Sequence, residues 1–376
     1  MAGIYIHIPF CKKKCIYCDF YSVGGKTDTV DAYVQSLCHE AAMRSGNLQG
    51  EAIKTIYIGG GTPSLLSATQ LSRLVGQLGG IFDLRQVGEF TIEVNPDDVT
   101  DDAVEAFMQL GINRVSMGVQ SFVDAELQFL RRRHDAARAI RAYESIIRCG
   151  ISNVSIDLIY GIPGQTMQSW QKSLEVAMSL QPRHISCYNL SYEEGTPLYR
   201  LLDKGLVTAV DDESCIAMYE LMTTVFSNHG YEHYEISNFA LRGFYSRHNS
   251  GYWDKTPYLG LGASAHSYVN GVRYYNPSDI KVYISQVGDG NIVAIAEDET
   301  ESERYDEEIM LRLRTSRGLD AEVLRTMYGE PYYSHFMSAV RQFVDSGLVE
   351  QAGSVFCLSG RGVMLSDMVF RELMYV

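Results

Sequence analysis

From residue 4 to about 192, short apolar runs alternate with longer amphipathic stretches. The short runs are Ile4 to Ile8, Thr55 to Gly59, Glu89 to Val94, Arg114 to Val119, Asn153 to Ile159 and His184 to Leu190, and they read as strands. Between them, Thr29 to Met43, Ser67 to Phe82, Ala136 to Cys149 and Met167 to Leu180 carry helical patterns. Alternating βα units predict an α/β fold with a parallel sheet covered by helices. Six units are too few for the usual closed eight-stranded barrel, so the expected architecture is a partial or open (β/α)6 barrel, with a doubly wound sheet as the alternative.

After residue 300 the pattern changes. Helical segments around Glu307 to Leu313, Ala321 to Met327 and His335 to Ser346 precede two strand-like runs, Leu348 to Gln351 and Val355 to Ser359, and Arg361 is expected to open a polar turn. That order resembles a winged-helix domain. Turn signals at Asn276-Pro277-Ser278-Asp279 and Gly288-Asp289-Gly290-Asn291 set the boundary before it. The expected division is a barrel over 1–230, a connecting region over 231–295 and a small α+β domain over 296–376.

Ligands of parallel sheets bind beyond the carboxyl ends of the strands, and all six strands end in residues that can do chemistry. The first runs into Cys11-Lys12-Lys13-Lys14-Cys15-Ile16-Tyr17-Cys18, a C-x3-C-x2-C spacing. The second meets Gly59-Gly60-Gly61-Thr62-Pro63, the third Glu93-Val94-Asn95-Pro96 and the fourth Gly118-Val119-Gln120. The fifth carries Asp157 before Tyr160-Gly161-Ile162-Pro163-Gly164, and the sixth ends near Tyr188-Asn189-Leu190-Ser191. Singly, a glycine run is most often a tight turn and a terminal acid a helix cap. Six such ends on one side of one sheet point to a site.

Three thiolates at this spacing can ligate three irons of a cubane cluster and leave the fourth iron open. A structural zinc site is the competing reading, which His7 or a distant residue would have to complete, because zinc sites are usually closed by four ligands. A disulfide framework fits poorly, since eight cysteines are spread over 376 residues without a secretory leader. A reducing cytosol is therefore expected. No apolar run reaches the length of about 20 residues that spans a bilayer. The net charge of −14 argues against a general nucleic-acid binder, because a polyanion is held by Lys and Arg. Two basic clusters stand against that background, Lys12 to Lys14 and Arg131 to Arg133. The lysines lie within the cysteine loop, where they could offset the charge of a thiolate-ligated cluster, and Arg132 could pair with a carboxylate.

The cysteine spacing, with an aromatic residue before the third cysteine, resembles the radical S-adenosylmethionine (SAM) superfamily. More narrowly, Tyr5-Ile6-His7-Ile8-Pro9-Phe10-Cys11, the Gly-Gly-Gly-Thr-Pro-Ser run at 59–64, Gly-Val-Gln-Ser-Phe at 118–122 and Asp-Leu-Ile-Tyr-Gly-Ile-Pro-Gly at 157–164 are similar to the oxygen-independent coproporphyrinogen III oxidase family, through nearly the whole chain. The resemblance implies a 4Fe-4S cluster on Cys11, Cys15 and Cys18. It implies a SAM pocket lined by Tyr5, Gly60, Gly61, Thr62, Glu93, Gln120, Arg132, Asp157 and Ser191, with Tyr17 beside the adenine. Two departures set the chain apart from the oxidases. They carry a long extension before the first strand, which here begins at residue 4, and a fourth cysteine two places after the third, where this chain has Phe20.

Arg247-His248-Asn249-Ser250-Gly251-Tyr252-Trp253 instead matches the H-N-x-x-Y-W motif of heme chaperones of the HemW type, which this chain resembles more closely. That resemblance implies heme as a ligand, with His248 on the iron and Tyr252 and Trp253 against the macrocycle, since a neutral imidazole ligates heme iron. His233, in a further family-like segment, is a second candidate ligand. Recipient hemoproteins, including respiratory ones, are the expected partners, with a homodimer and peripheral attachment to the inner face of the membrane within the same expectation. Coproporphyrinogen III oxidation, or modification of another tetrapyrrole, is the alternative activity.

Overall fold

The computed structural model describes residues 1–25, 28–48 and 50–375. Six strands, β1 (Ala2–Ile8), β2 (Ile53–Gly60), β3 (Glu89–Val94), β4 (Arg114–Gln120), β5 (Asn153–Tyr160) and β6 (His184–Asn189), lie side by side in chain order, all parallel. Helices α1 (Val30–Met43), α2 (Ala68–Ile81), α3 (Asp101–Gln109), α4 (Ala136–Cys149) and α5 (Met167–Leu180) connect them, and α6 (Asp212–Asn228) follows. Their starts are written locally: Ser67 and Gln70 form a reciprocal capping box at α2, Thr166 and Ser169 another at α5, and Asp135 caps α4. Gly150, at φ 115°, ends α4 in the left-handed region that glycine tolerates.

Each strand alternates. Ile4, Ile6 and Ile8 of β1, Val115, Met117 and Val119 of β4 and Val154, Ile156 and Leu158 of β5 are buried in the main core under the helices. The residues between them, Tyr5, Tyr57, Glu93, Ser116, Asp157 and Ser186, point to the other face, because successive side chains on a strand do. An eight-stranded barrel fills that face with Val, Ile and Leu. Here it is polar, which suits a barrel built around a ligand.

The sheet does not stop at six strands. Beyond β6 it gains the hairpin β7 (Tyr231–Glu235) and β8 (Asn238–Leu241), with β8 antiparallel to β6. On the other side of β1, β9 (Tyr258–Leu261) runs parallel to it, followed by antiparallel β10 (His266–Val269), β11 (Val272–Tyr275) and β12 (Ile295–Ala296). Segment 231–295 thus supplies both edges of one twelve-stranded sheet, and its Phe239, Leu259, Leu261 and Tyr283 enter the main core. Buried Glu40 of α1 fastens β9 by accepting from Gly262 N (2.8 Å) and the Tyr283 hydroxyl (2.7 Å), while Arg44 donates to Gly260 O at 2.9 Å.

The C-terminal domain packs α8 (Glu301–Leu313), α9 (Ala321–Tyr328) and α10 (Glu330–Asp345) around Tyr305, Ile309, Phe336, Phe356 and Phe370, a core of its own. A hairpin, β14 (Val349–Ala352) and β15 (Val355–Leu358), joins β13 (Leu319–Asp320) in a small sheet, so helices precede the hairpin as in a winged helix. At Arg361 the structure has two helices, Gly360–Met364 and Ser366–Leu373, where a polar turn was expected. Phe370 and Leu373 supply the reason, since both are buried in the domain core.

Candidate functional site

At their carboxyl ends the parallel strands surround a cavity of about 390 Å³. Cys11, Cys15, Cys18, Tyr17, Gly60, Gly61, Thr62, Glu93, Gln120, Arg132, Asp157 and Ser191 all line it. Tyr5, His248, Tyr252 and Trp253 line neighbouring cavities instead.

The cysteine loop is anchored at both ends. Phe10–Cys11 pairs with Val23–Gly24, and buried Ile16 accepts from Leu198 N at 2.9 Å while packing with Leu130 and Ile162. That holds the three thiols half-buried and turned to the cavity. Burial pushes the Cys18 thiol up to about 11. The Cys15 sulfur accepts from Arg132 Nη1 at 3.2 Å, and Thr62 Oγ1 donates to Cys11 Sγ at 3.5 Å. Among the described residues no three His, Cys, Asp or Glu side chains converge on a single ion. Three thiols turned to one cavity suit a cluster that keeps one iron open, whereas a structural zinc ion is usually closed by four ligands.

The two basic clusters divide between roles. Lys12 and Arg133 are drawn to Asp98, the former at 2.8 Å, whereas Lys13, Lys14 and Arg132 line the cavity. Arg132 also donates to Gly118 O at 2.6 Å, and its buried Nε has no hydrogen-bond partner, leaving one donor for a ligand carboxylate.

Gly60 has φ 111°, and a Cβ there would lie 2.6 Å from the His7 ring; one on Gly61 would lie 2.8 Å from Phe10 O. The glycine run therefore brings backbone N–H groups where side chains have no room. Gly60 N donates to Glu93 Oε2 at 2.9 Å, and the Tyr57 hydroxyl to Glu93 Oε1 at 2.8 Å. Burial, reinforced by the Asp157 charge, raises the Glu93 carboxyl to about 7 despite these donors. Asp157, raised by burial to about 6, accepts from Ser116. Gln120 has φ 72° beside a register slip in β4, a bulge that re-aims its side chain. Tyr188, at the end of the sixth strand, lines the cavity too, while Tyr57, Arg114, Ser116, Ser186 and Asn249 also line it and were missed. Several were readable from parity: Ser116 is two residues from Gly118, and Ser186 lies directly across from Asp157.

His248 occupies the opposite, amino-end half of the barrel. It sits on α7 (Arg247–Trp253), a short helix that plugs the barrel floor, where the sequence shows no helical pattern. Glu89 of β3 caps it, accepting from Arg247 N and His248 N, both at 2.9 Å. His248 Nδ1 is 2.8 Å from Thr55 Oγ1 and Nε2 is 2.8 Å from the Tyr252 hydroxyl, so both ring nitrogens are engaged. Burial, with Arg114 nearby, lowers it to about 3, which keeps the ring neutral. Trp253 lies under the Arg314 guanidinium, 4.2 Å from its ring centre. His233 stacks on Phe239 at 4.1 Å and bonds Ile236 O at 3.1 Å, within its own hairpin.

Comparison with known proteins agrees with this geometry. The model of the radical SAM superfamily matches residues 5–177, and that of the HemN C-terminal domain residues 300–365. The heme chaperone HemW of Bacillus subtilis is 35% identical over 98% of this chain and 98% of its own length. The chain belongs to the HemW family. HemW of Lactococcus lactis is 33% identical over 98% of this chain and 96% of its own, and HemW of Escherichia coli 36% identical over 71% and 70%. Coproporphyrinogen III oxidase (HemN) of Escherichia coli, a radical SAM enzyme, superposes with a TM-score of 0.85 over 99% of this chain and 90% of its own. At 22% identity this likeness establishes the fold, a partial radical SAM barrel with a HemN-type C-terminal domain shared by this member of the HemW family. Among the described residues no helix is long and apolar enough to cross a membrane.

Proposed function

We propose that this chain is a heme chaperone of the cytosol that binds heme beside a SAM-ligated 4Fe-4S cluster and passes the heme to hemoproteins. The observation that carries the reading is end-to-end similarity to the Bacillus subtilis heme chaperone, with the cysteine loop, glycine run and strand-end carboxylates meeting in one cavity. Cys11, Cys15 and Cys18 would each hold one iron. The cluster with SAM would supply one-electron cleavage of the sulfonium. Gly60 and Gly61 leave room for the methionyl group, and Glu93 and Asp157 accept from its ammonium and the ribose hydroxyls. Gln120 and Ser191 add polar contacts, Arg132 takes the carboxylate, and Tyr17 lies beside the adenine. Tyr5 supports this wall from behind, through its 2.9 Å hydrogen bond to His7, the ring that Gly60 touches.

Respiratory hemoproteins are the proposed recipients, reached by peripheral docking at the membrane, with a homodimer as the working assembly. The test is anaerobic. Cluster-reconstituted protein is offered hemin in one arm, and coproporphyrinogen III with SAM and reductant in the other. Heme uptake without protoporphyrinogen formation is expected. Decarboxylation without heme uptake would overturn the reading in favour of an oxidase.

A further inference from the structure

Beside the cysteine loop a second cavity, of about 490 Å³, opens between the β9–β11 edge of the sheet and α8 of the C-terminal domain. Its volume is in the range of small-molecule sites, about 300–1,000 Å³. Phe20, Tyr21, Tyr252, Trp253, Tyr258 and Tyr268 wall it. So many rings give broad, flat, apolar surface, which suits a planar macrocycle. Phe20 is 67% exposed although it is a large apolar ring, and it lines this cavity and the cluster cavity alike.

One imidazole in this wall is accessible. The His266 side chain is 51% exposed, and its Nδ1 faces Glu297 Oε1 at 3.6 Å. Metal-ligating histidines commonly turn one ring nitrogen to a carboxylate and give the other to the metal. Here that leaves Nε2 for the iron. His248, by contrast, is 3% exposed and has both ring nitrogens engaged. Trp253 Nε1 is buried without a hydrogen-bond partner, a donor in the same wall. Lys255 and Arg273 also line it, Lys255 held by Glu307 and Glu308 of α8 and Arg273 by Glu307, Glu297 and Glu299, and each would exchange its contact with Glu307 for a propionate while keeping its other carboxylates.

We infer that this aromatic cavity is the heme seat and that His266 Nε2, rather than His248, is the axial ligand. The inference rests on the heme-chaperone reading and adds the site and the ligand. The test titrates the full-length protein and its H266A, H248A and F20A variants with hemin and with metal-free protoporphyrin IX, following the Soret band, electron paramagnetic resonance and thermal unfolding. H266A is expected to bind hemin about tenfold or more weakly, since even the outer partners of a metal ligand are worth that much. It should lose the histidine-ligated spectrum and regain it on addition of free imidazole, which separates a lost ligand from a misfolded chain. F20A is expected to weaken hemin and protoporphyrin alike, and H248A to keep the native spectrum. An unchanged spectrum and affinity in H266A would overturn the inference, as would their loss in an H248A variant that unfolds at the native temperature. Failure of the unmodified protein to take up hemin would instead remove the chaperone reading itself.

Discussion

Glu93 shows how one buried carboxyl links stability, pH and ligand. Its pKa, raised to about 7 in the folded chain, stands near 4.5 when unfolded. Below pH 4.5 both states hold the proton. Between 4.5 and 7 the unfolded chain releases it first, so stability falls as pH rises through that window. Asp157, raised to about 6 from 3.8, adds the same sign at slightly lower pH. The ligand-free protein is therefore expected to melt at a lower temperature at pH 8 than at pH 5, and E93Q to flatten that dependence. A donor from SAM favours the ionised carboxylate, so SAM affinity of the reconstituted protein should rise through pH 7 and lose that rise in E93Q. Equilibrium dialysis at pH 6 and pH 8 checks it; a pH-independent affinity would remove Glu93 from the SAM site.

Among the elements, α7 depends most on distant residues. It contains Gly251 and the weak helix formers His248, Asn249 and Ser250, and besides its local cap, Ser246 accepting from Asn249 N, it relies on Glu89, which supplies both oxygens to its first amides. In E89Q one of those amides would face an NH2 group, a buried donor against a donor, at a cost of about 1–3 kcal/mol. A lowered melting temperature, with faster hydrogen exchange in residues 247–253, is the expected result; unchanged exchange there would show that the plug is held without Glu89, by its Ser246 cap and by Tyr252 and Trp253. The same element marks the limit of reading from sequence. Helices α4 and α5 were legible to the residue, because their caps and apolar stripes are local. The six parallel strands were legible to within two residues, and the cysteine, glycine and carboxylate residues of the cavity followed from their place at strand ends. What stayed hidden depends on partners far along the chain: the capping of α7 by Glu89, and the pairing of β9 with β1. The interior lining was hidden differently. Tyr57 and Arg114 sit inside runs read as apolar, where only strict alternation separates them from the core.

For the molecule as a whole, the junction between barrel and C-terminal domain is polar and its strength uneven. Ile236 N donates to Arg314 O and Ser316 N to Tyr234 O, each at 3.0 Å, so backbone bonds cross it. Asp254, itself about a third exposed, pairs with half-buried Arg312 and exposed Arg317, and pairs so open to water are worth about 0–1 kcal/mol. Arg314 reaches Glu235, whose side chain is 1% exposed, and also covers Trp253. R314A should therefore cost about 2 kcal/mol or more, because it leaves a buried carboxylate short of its cation, whereas D254N should be nearly neutral. Denaturant unfolding measures both, and amide exchange at Ile236 and Ser316 reports whether the junction itself has loosened. A different consequence follows from the place of β1. This first strand is not at an edge: it pairs with β2 on one side and with β9 on the other, Gly3 against Tyr258. A nascent chain leaving the ribosome thus presents its cysteine loop long before the strand that seals its flank has been made.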